Sequence, residues 1–138
     1  MNATALALAG YIFWFMLLLA LITLIRTIHT LSGKRAANSF QPDGFDVSPF
    51  SGRLCRAHAN CFESFPFVGG ILLLALVTNQ AQLTNPLAYI VLAARIAQSV
   101  THLISAGVLA VQIRFFFFLI QLVICFYWCY QLIIRLCT

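Results

Sequence analysis

Four long apolar stretches carry most of this chain, and polar, glycine- or proline-bearing breaks separate them. Ala3 to Ile25 is a charge-free run of 23 residues, long enough to cross a bilayer as a helix. It has neither a basic leader nor a small-residue cleavage motif after it, which favours a retained span over a signal peptide. Arg26 and His29 end it. Gly33, Lys34, Arg35, Pro42, Gly44, Pro49 and Gly52 then mark one long irregular connection. The second span opens near Arg53 and contains Pro66, where a missing N–H is expected to kink the helix. Gly69 and Gly70 follow and permit close helix contact. Thr78 to Asn85 reads as a short uncharged loop, and Pro86 suits the first turn of a third span. The pattern predicts an all-α, integral membrane four-helix bundle. It is a single domain over 1–138 with spans at about 3–29, 53–77, 86–111 and 114–135 and a loop at about 30–52.

Polar residues inside the apolar stretches change that picture. Arg53, Arg56, Asn60 and Glu63 are spaced +3, +4 and +3, so on a helix they fall within an arc of roughly 80°. Two cations, an amide and a carboxylate thus enter the membrane along one stripe. Ionisable groups at that depth need partners or a wet cavity, so the stripe marks a functional site. A salt-bridged helix end, with Asn60 between Arg56 and Glu63, is the plainer alternative. Arg95, Gln98 and His102 share a face of the third span by the same spacing. Glu63 is the one acidic residue in any span, which makes an Arg95–Glu63 pair the obvious structural expectation. Arg114 opens the fourth span. Phe115 to Phe118 reads as lipid-facing or packing bulk, not as a binding box, and Tyr127, Trp128 and Tyr130 as an interfacial aromatic belt.

Composition agrees: 62% of residues are hydrophobic, 8% are charged and mean hydropathy is +0.97. A soluble domain carries about a quarter charged residues. The net charge of +5 comes with no basic cluster interleaved with exposed aromatics, so nucleic acid is not an expected partner. The charge instead sets orientation. Arg26, Lys34, Arg35, Arg53, Arg56 and Arg114 lie on one side and only Arg135 on the other. The positive-inside rule puts both termini on the non-cytoplasmic side and the stripe near the cytoplasmic face. The five cysteines form no disulfide pattern. Cys55, His58 and Cys61 spread over roughly 120° of helix with no fourth ligand, so no metal site is expected.

The run Arg56-Ala-His58-Ala-Asn60-Cys-Phe-Glu63, followed by Pro66-Phe67, resembles the RAxxNxxE signature of the MAPEG family. Its members are membrane-associated proteins in eicosanoid and glutathione metabolism, among them the microsomal glutathione transferases. The likeness extends to four spans, a long polar first loop, and Ala94-Arg95-Ile96-Ala97 with Gln98 in the third span. It implies a homotrimer with glutathione held between neighbouring subunits. Arg56, Asn60, Glu63, Arg95 and Gln98 would bind glutathione, with His102 and Arg53 on the same faces. Arg114 would meet the sulfur, and a neighbour would contribute an arginine corresponding to Arg26. The chain departs from the family in having His102 and Phe118 where tyrosines are usual.

The implied function is a glutathione transferase or peroxidase acting on lipophilic electrophiles from the membrane lipid. Glutathione offers two carboxylates, an ammonium and a thiol, and arginine grips carboxylates bidentately. Two rivals stay open at this point. One is a small multidrug exporter using Glu63, although the flanking arginines would repel a cationic cargo. The other is a non-catalytic scaffold of the same fold.

Overall fold

The computed structural model covers residues 1–138 and contains four helices: α1 (Ala3–Leu31), α2 (Pro49–Val77), α3 (Ala81–Ile104) and α4 (Val108–Cys137). All four are long and apolar enough to cross a membrane. Local chemistry sets their ends. Asn2 caps α1 by accepting from the Ala5 N–H at 3.2 Å. Ser48 caps α2 by accepting from the Ser51 N–H at 3.0 Å, and Pro49 occupies the first turn, where its missing donor costs nothing. Both α1 and α2 close in Schellman motifs. Gly33 takes the left-handed position after α1, with Lys34 N–H donating to the His29 carbonyl. Asn79 does the same after α2, with Gln80 N–H donating to the Ala75 carbonyl at 2.7 Å.

Four helix ends differ from the sequence expectation. The α2–α3 link is only Thr78–Gln80. The segment taken for loop is already helical from Ala81, so Pro86 lies in the second turn and not the first. That segment is held down from α1: the Thr4 N–H donates to Asn85 Oδ1 at 2.9 Å, and the Thr4 and Thr84 hydroxyls lie 2.6 Å apart. The α3–α4 break falls at Ser105–Gly107 and not between 111 and 114. Ser105 is extended there, and its Oγ accepts from the Gly107 N–H at 3.0 Å. Arg114 therefore sits nearly two turns inside α4. At its start α2 reaches four residues further than expected, to Pro49.

The helices alternate in direction. α2 and α3 form the middle, α1 packs against both from one side and α4 from the other, and α1 does not touch α4. The core holds Tyr11 and Leu18 of α1, Leu54, Ala57, Val68 and Leu72 of α2, Ala88 and Val91 of α3, and Cys125 and Trp128 of α4. Trp128 is thus a core residue with 0% exposure, whereas Tyr127 and Tyr130 are exposed. Exposed Leu, Ile, Val and Phe side chains cover the outside of the bundle, as a lipid-facing surface requires. α2 runs unbroken through Pro66, and in the turn before it the Cys61 carbonyl accepts from Tyr11 Oη at 2.8 Å.

The α1–α2 loop is organised by Arg35. Its guanidinium pairs with Asp46 at 2.7 Å, donates to the Ser39 carbonyl at 2.6 Å and lies over Phe40. Arg26 approaches the same ring and donates to the Gln41 carbonyl at 3.0 Å. Desolvation, the largest single influence, pulls the Asp46 pKa up. The Gln41 N–H and the Arg35 guanidinium outweigh it and hold the carboxyl below the usual carboxylate range. Gly44, at φ 72°, brings the loop back against Ser51 and Cys55, where no side chain would fit.

Candidate functional site

Arg95, Gln98 and His102 form a ladder down one face of α3, and each rung is tied to another helix. Arg95 Nη1 donates to Asn60 Oδ1 of α2 at 2.6 Å. Gln121 Nε2 of α4 donates to Gln98 Oε1 at 2.9 Å. Arg114 Nη1 of α4 lies 2.6 Å from His102 Nδ1. Counted from the loop end of each helix at 1.5 Å per residue, His102 lies about 3 Å deep, Arg114 and Gln98 about 9 Å, and Arg95 about 14 Å. The polar groups thus descend from one membrane face towards the middle.

The Arg95–Glu63 pair does not form. Arg95 has no exposed surface, Glu63 is exposed, and the chain's one salt bridge is in the loop. Asn60 is the sole hydrogen-bond partner of Arg95. Its Nε and Nη2 have none, and its guanidinium carbon lies 5.7 Å from the Tyr11 ring centroid. The Arg56–Glu63 bridge does not form either. Both side chains are exposed on α2 with no partner inside the chain.

Arg53 and Arg26 belong to other contacts. Arg53 Nε donates to the Leu103 carbonyl at 2.9 Å, fixing the end of α3 against α2. Arg26 is held by the loop. Of the residues singled out in the sequence, the structure joins Asn60 to Arg95 and His102 to Arg114. Arg56 is near enough to act electrostatically on both His102 and Arg114.

Gln121 is the residue that spacing reasoning missed. It is fully buried, it secures Gln98, and its Oε1 has no partner. Its signal was present: it is the one amide between Phe115 and Tyr130, and it lies seven residues from Arg114, on the same helical face.

These bonds give the site a consistent polarity. Asn60, Gln98 and His102 each commit an acceptor atom inward. The remaining nitrogen of each, Asn60 Nδ2, Gln98 Nε2 and His102 Nε2, has no partner within the chain yet is not sealed off. Arginine can only donate. The side chains at this end therefore present N–H donors, with two accessible guanidiniums (Arg56, Arg114) backed by the buried Arg95 against the single carboxylate of Glu63. Such a lining suits a ligand with several anionic or carbonyl oxygens and one cationic group. Deeper along the α2–α4 seam it gives way to a wholly apolar groove of about 140 Å³ lined by Phe67, Ile71, Leu122, Cys125, Phe126 and Cys129.

No curated protein matches the chain, and neither does any solved structure. The model of the MAPEG family does match, over residues 3–134, a range that takes in every site residue named above. The chain is therefore a member of the MAPEG family, with four membrane-crossing helices.

Proposed function

We propose that this protein binds glutathione at the loop end of α2, α3 and α4 and transfers it to lipophilic electrophiles dissolved in the membrane. The observation that carries the reading is the donor-rich lining with one exposed carboxylate. Glutathione has two carboxylates and two amide carbonyls to accept from it, and one ammonium for Glu63. The residues present fit the molecule group by group. Arg56 meets a carboxylate, Asn60 Nδ2 and Gln98 Nε2 meet carbonyl or carboxylate oxygens, and Arg95 holds Asn60 in place from inside.

Arg114 faces the sulfur. A free thiol has a pKa of about 8.5, and lowering it by about two units takes roughly 2.7 kcal/mol of preferential stabilisation of the anion. One guanidinium in a low-dielectric site supplies that much. The thiol proton leaves to water, the thiolate sulfur bonds to the electrophilic atom, and the leaving group departs with its electron pair. The apolar seam gives such electrophiles a path from the lipid.

Arg56 and Glu63 are charged, lie within the span and have no partner in their own chain. Exposure to lipid would cost each several kcal/mol. The proposed assembly is accordingly a homotrimer in which a neighbouring subunit and glutathione cover them together, with the site near the cytoplasmic face and both termini on the other side. Calorimetric titration of the detergent-solubilised protein with glutathione tests the reading. Saturable binding that falls at least tenfold in Arg56→Ala supports it. No binding by a folded protein would leave a non-catalytic scaffold of the same fold.

A further inference from the structure

We propose that His102 is a positioning residue for Arg114: its Nδ1 sets the direction of the guanidinium towards an anionic atom of the ligand, while its own Nε2–H, on the opposite side of the ring, donates to a separate acceptor. The contact between the two side chains carries the pair. Identifying the atom that Arg114 meets as the glutathione sulfur rests on the function proposed above.

Arg114 Nη1 lies 2.6 Å from His102 Nδ1, and a guanidinium has no acceptor to offer. Nδ1 must therefore present its lone pair, which places the ring proton on Nε2. His102 is more than nine-tenths buried at the end of α3, so its ring is held by packing, while Arg114 is only partly buried on a long stem. The histidine is the fixed member and the arginine the aimed one. The charges that act on the ring are all cationic: Arg114 from α4, Arg56 from α2 and Arg95 from its own helix. Arg53 is bonded to the next residue's carbonyl. No carboxylate or carbonyl of the chain accepts from Nε2–H, and that nitrogen is not sealed from outside. Its acceptor comes from outside the chain, and because the two ring nitrogens point to opposite sides of the ring it is a different atom from the one that Arg114 meets.

Nitrogen-15 histidine spectra of the full-length protein in detergent test the pair without any ligand. His102 should show the Nε2–H tautomer with a hydrogen-bonded Nδ1, and Arg114→Ala should move the Nδ1 resonance to that of a free lone pair. An Nδ1–H tautomer or an imidazolium in the native protein would overturn the proposal whether or not glutathione binds.

The second arm follows the thiolate absorbance of bound glutathione against pH. His102→Leu should raise the proton affinity of the bound thiol about tenfold while changing the Kd less than threefold. His102→Gln keeps an acceptor for Arg114 and an N–H for the separate outside acceptor, and it should restore at least half of the shift. A titration unchanged in a folded, glutathione-binding His102→Leu overturns the proposal. If His102→Leu does not fold, a His102→Gln titration displaced as far as that of Arg114→Ala overturns it, and one close to native supports it. A native protein that fails to bind glutathione sinks the function proposed above and leaves the pair to be decided by the tautomer.

Discussion

Replacing Asn60 with alanine separates two accounts of how this bundle tolerates a buried arginine. Arg95 has no exposed surface, and Asn60 Oδ1 is its one hydrogen-bond acceptor. A hydrogen bond to a charged group contributes about 1.5–3 kcal/mol, and removing the partner of a buried charge costs about 3–5 kcal/mol. Asn60→Ala should therefore lower stability by about 3 kcal/mol. Glu63 makes no contact with Arg95, so Glu63→Gln should change stability by less than about 0.5 kcal/mol, as exposed substitutions do. The same change should weaken glutathione binding, because the ligand ammonium loses its charged partner, by about 1.5–3 kcal/mol. Reversible unfolding in mixed micelles by SDS titration, followed by circular dichroism at fixed protein concentration and without glutathione, measures both variants. A destabilised Glu63→Gln beside an unaffected Asn60→Ala would refute the reasoning and make Glu63 the partner of Arg95.

Arg114→Ala should leave glutathione affinity within threefold of native and raise the bound thiol pKa by a unit or more, about 1.4 kcal/mol. Arg114→Lys should recover part of that shift, since a point charge serves a sulfur anion, and thiolate absorbance measures both. The α1–α2 loop should loosen in acid. The Asp46 pKa is depressed in the fold, so its contribution is complete above the unfolded carboxylate value of about 3.9 and is lost as pH falls through the lower folded value. Amide exchange over residues 32–48 should accelerate below about pH 4, and Asp46→Asn should remove that pH dependence. Labelling of Ala36→Cys in a background without the native cysteines should occur only from the cytoplasmic side; labelling from outside would reverse the proposed orientation.

The four helices were legible because an apolar run of about 20 residues is a sufficient signal for a membrane-crossing segment. The ladder on α3 was legible for a similar reason: the 3.6 period fixes which residues share a face, whatever the helix packs against. What spacing cannot supply is the partner across the interface. That depends on how far each helix is rotated, and so Arg95 found Asn60 where composition pointed to Glu63. Trp128 misled because an amphipathic ring near an expected helix end suits the membrane interface. The face of α4 that Trp128 shares with Cys125 and Leu132 instead packs into the bundle and buries the indole, while Tyr127 and Tyr130 lie on the exposed side. Ala81 to Asn85 read as loop because it is polar and uncharged. Its Thr84 and Asn85 in fact answer Thr4 of α1, a contact 80 residues away in sequence.

Native mass spectrometry of the protein released from detergent in the presence of glutathione tests the central claim most directly. The account predicts a trimer carrying added masses of glutathione, up to one per subunit interface. It predicts loss of those masses, with the trimer retained, in Arg56→Ala. Monomers or dimers alone, or a trimer with no added glutathione at saturating concentration, would contradict it.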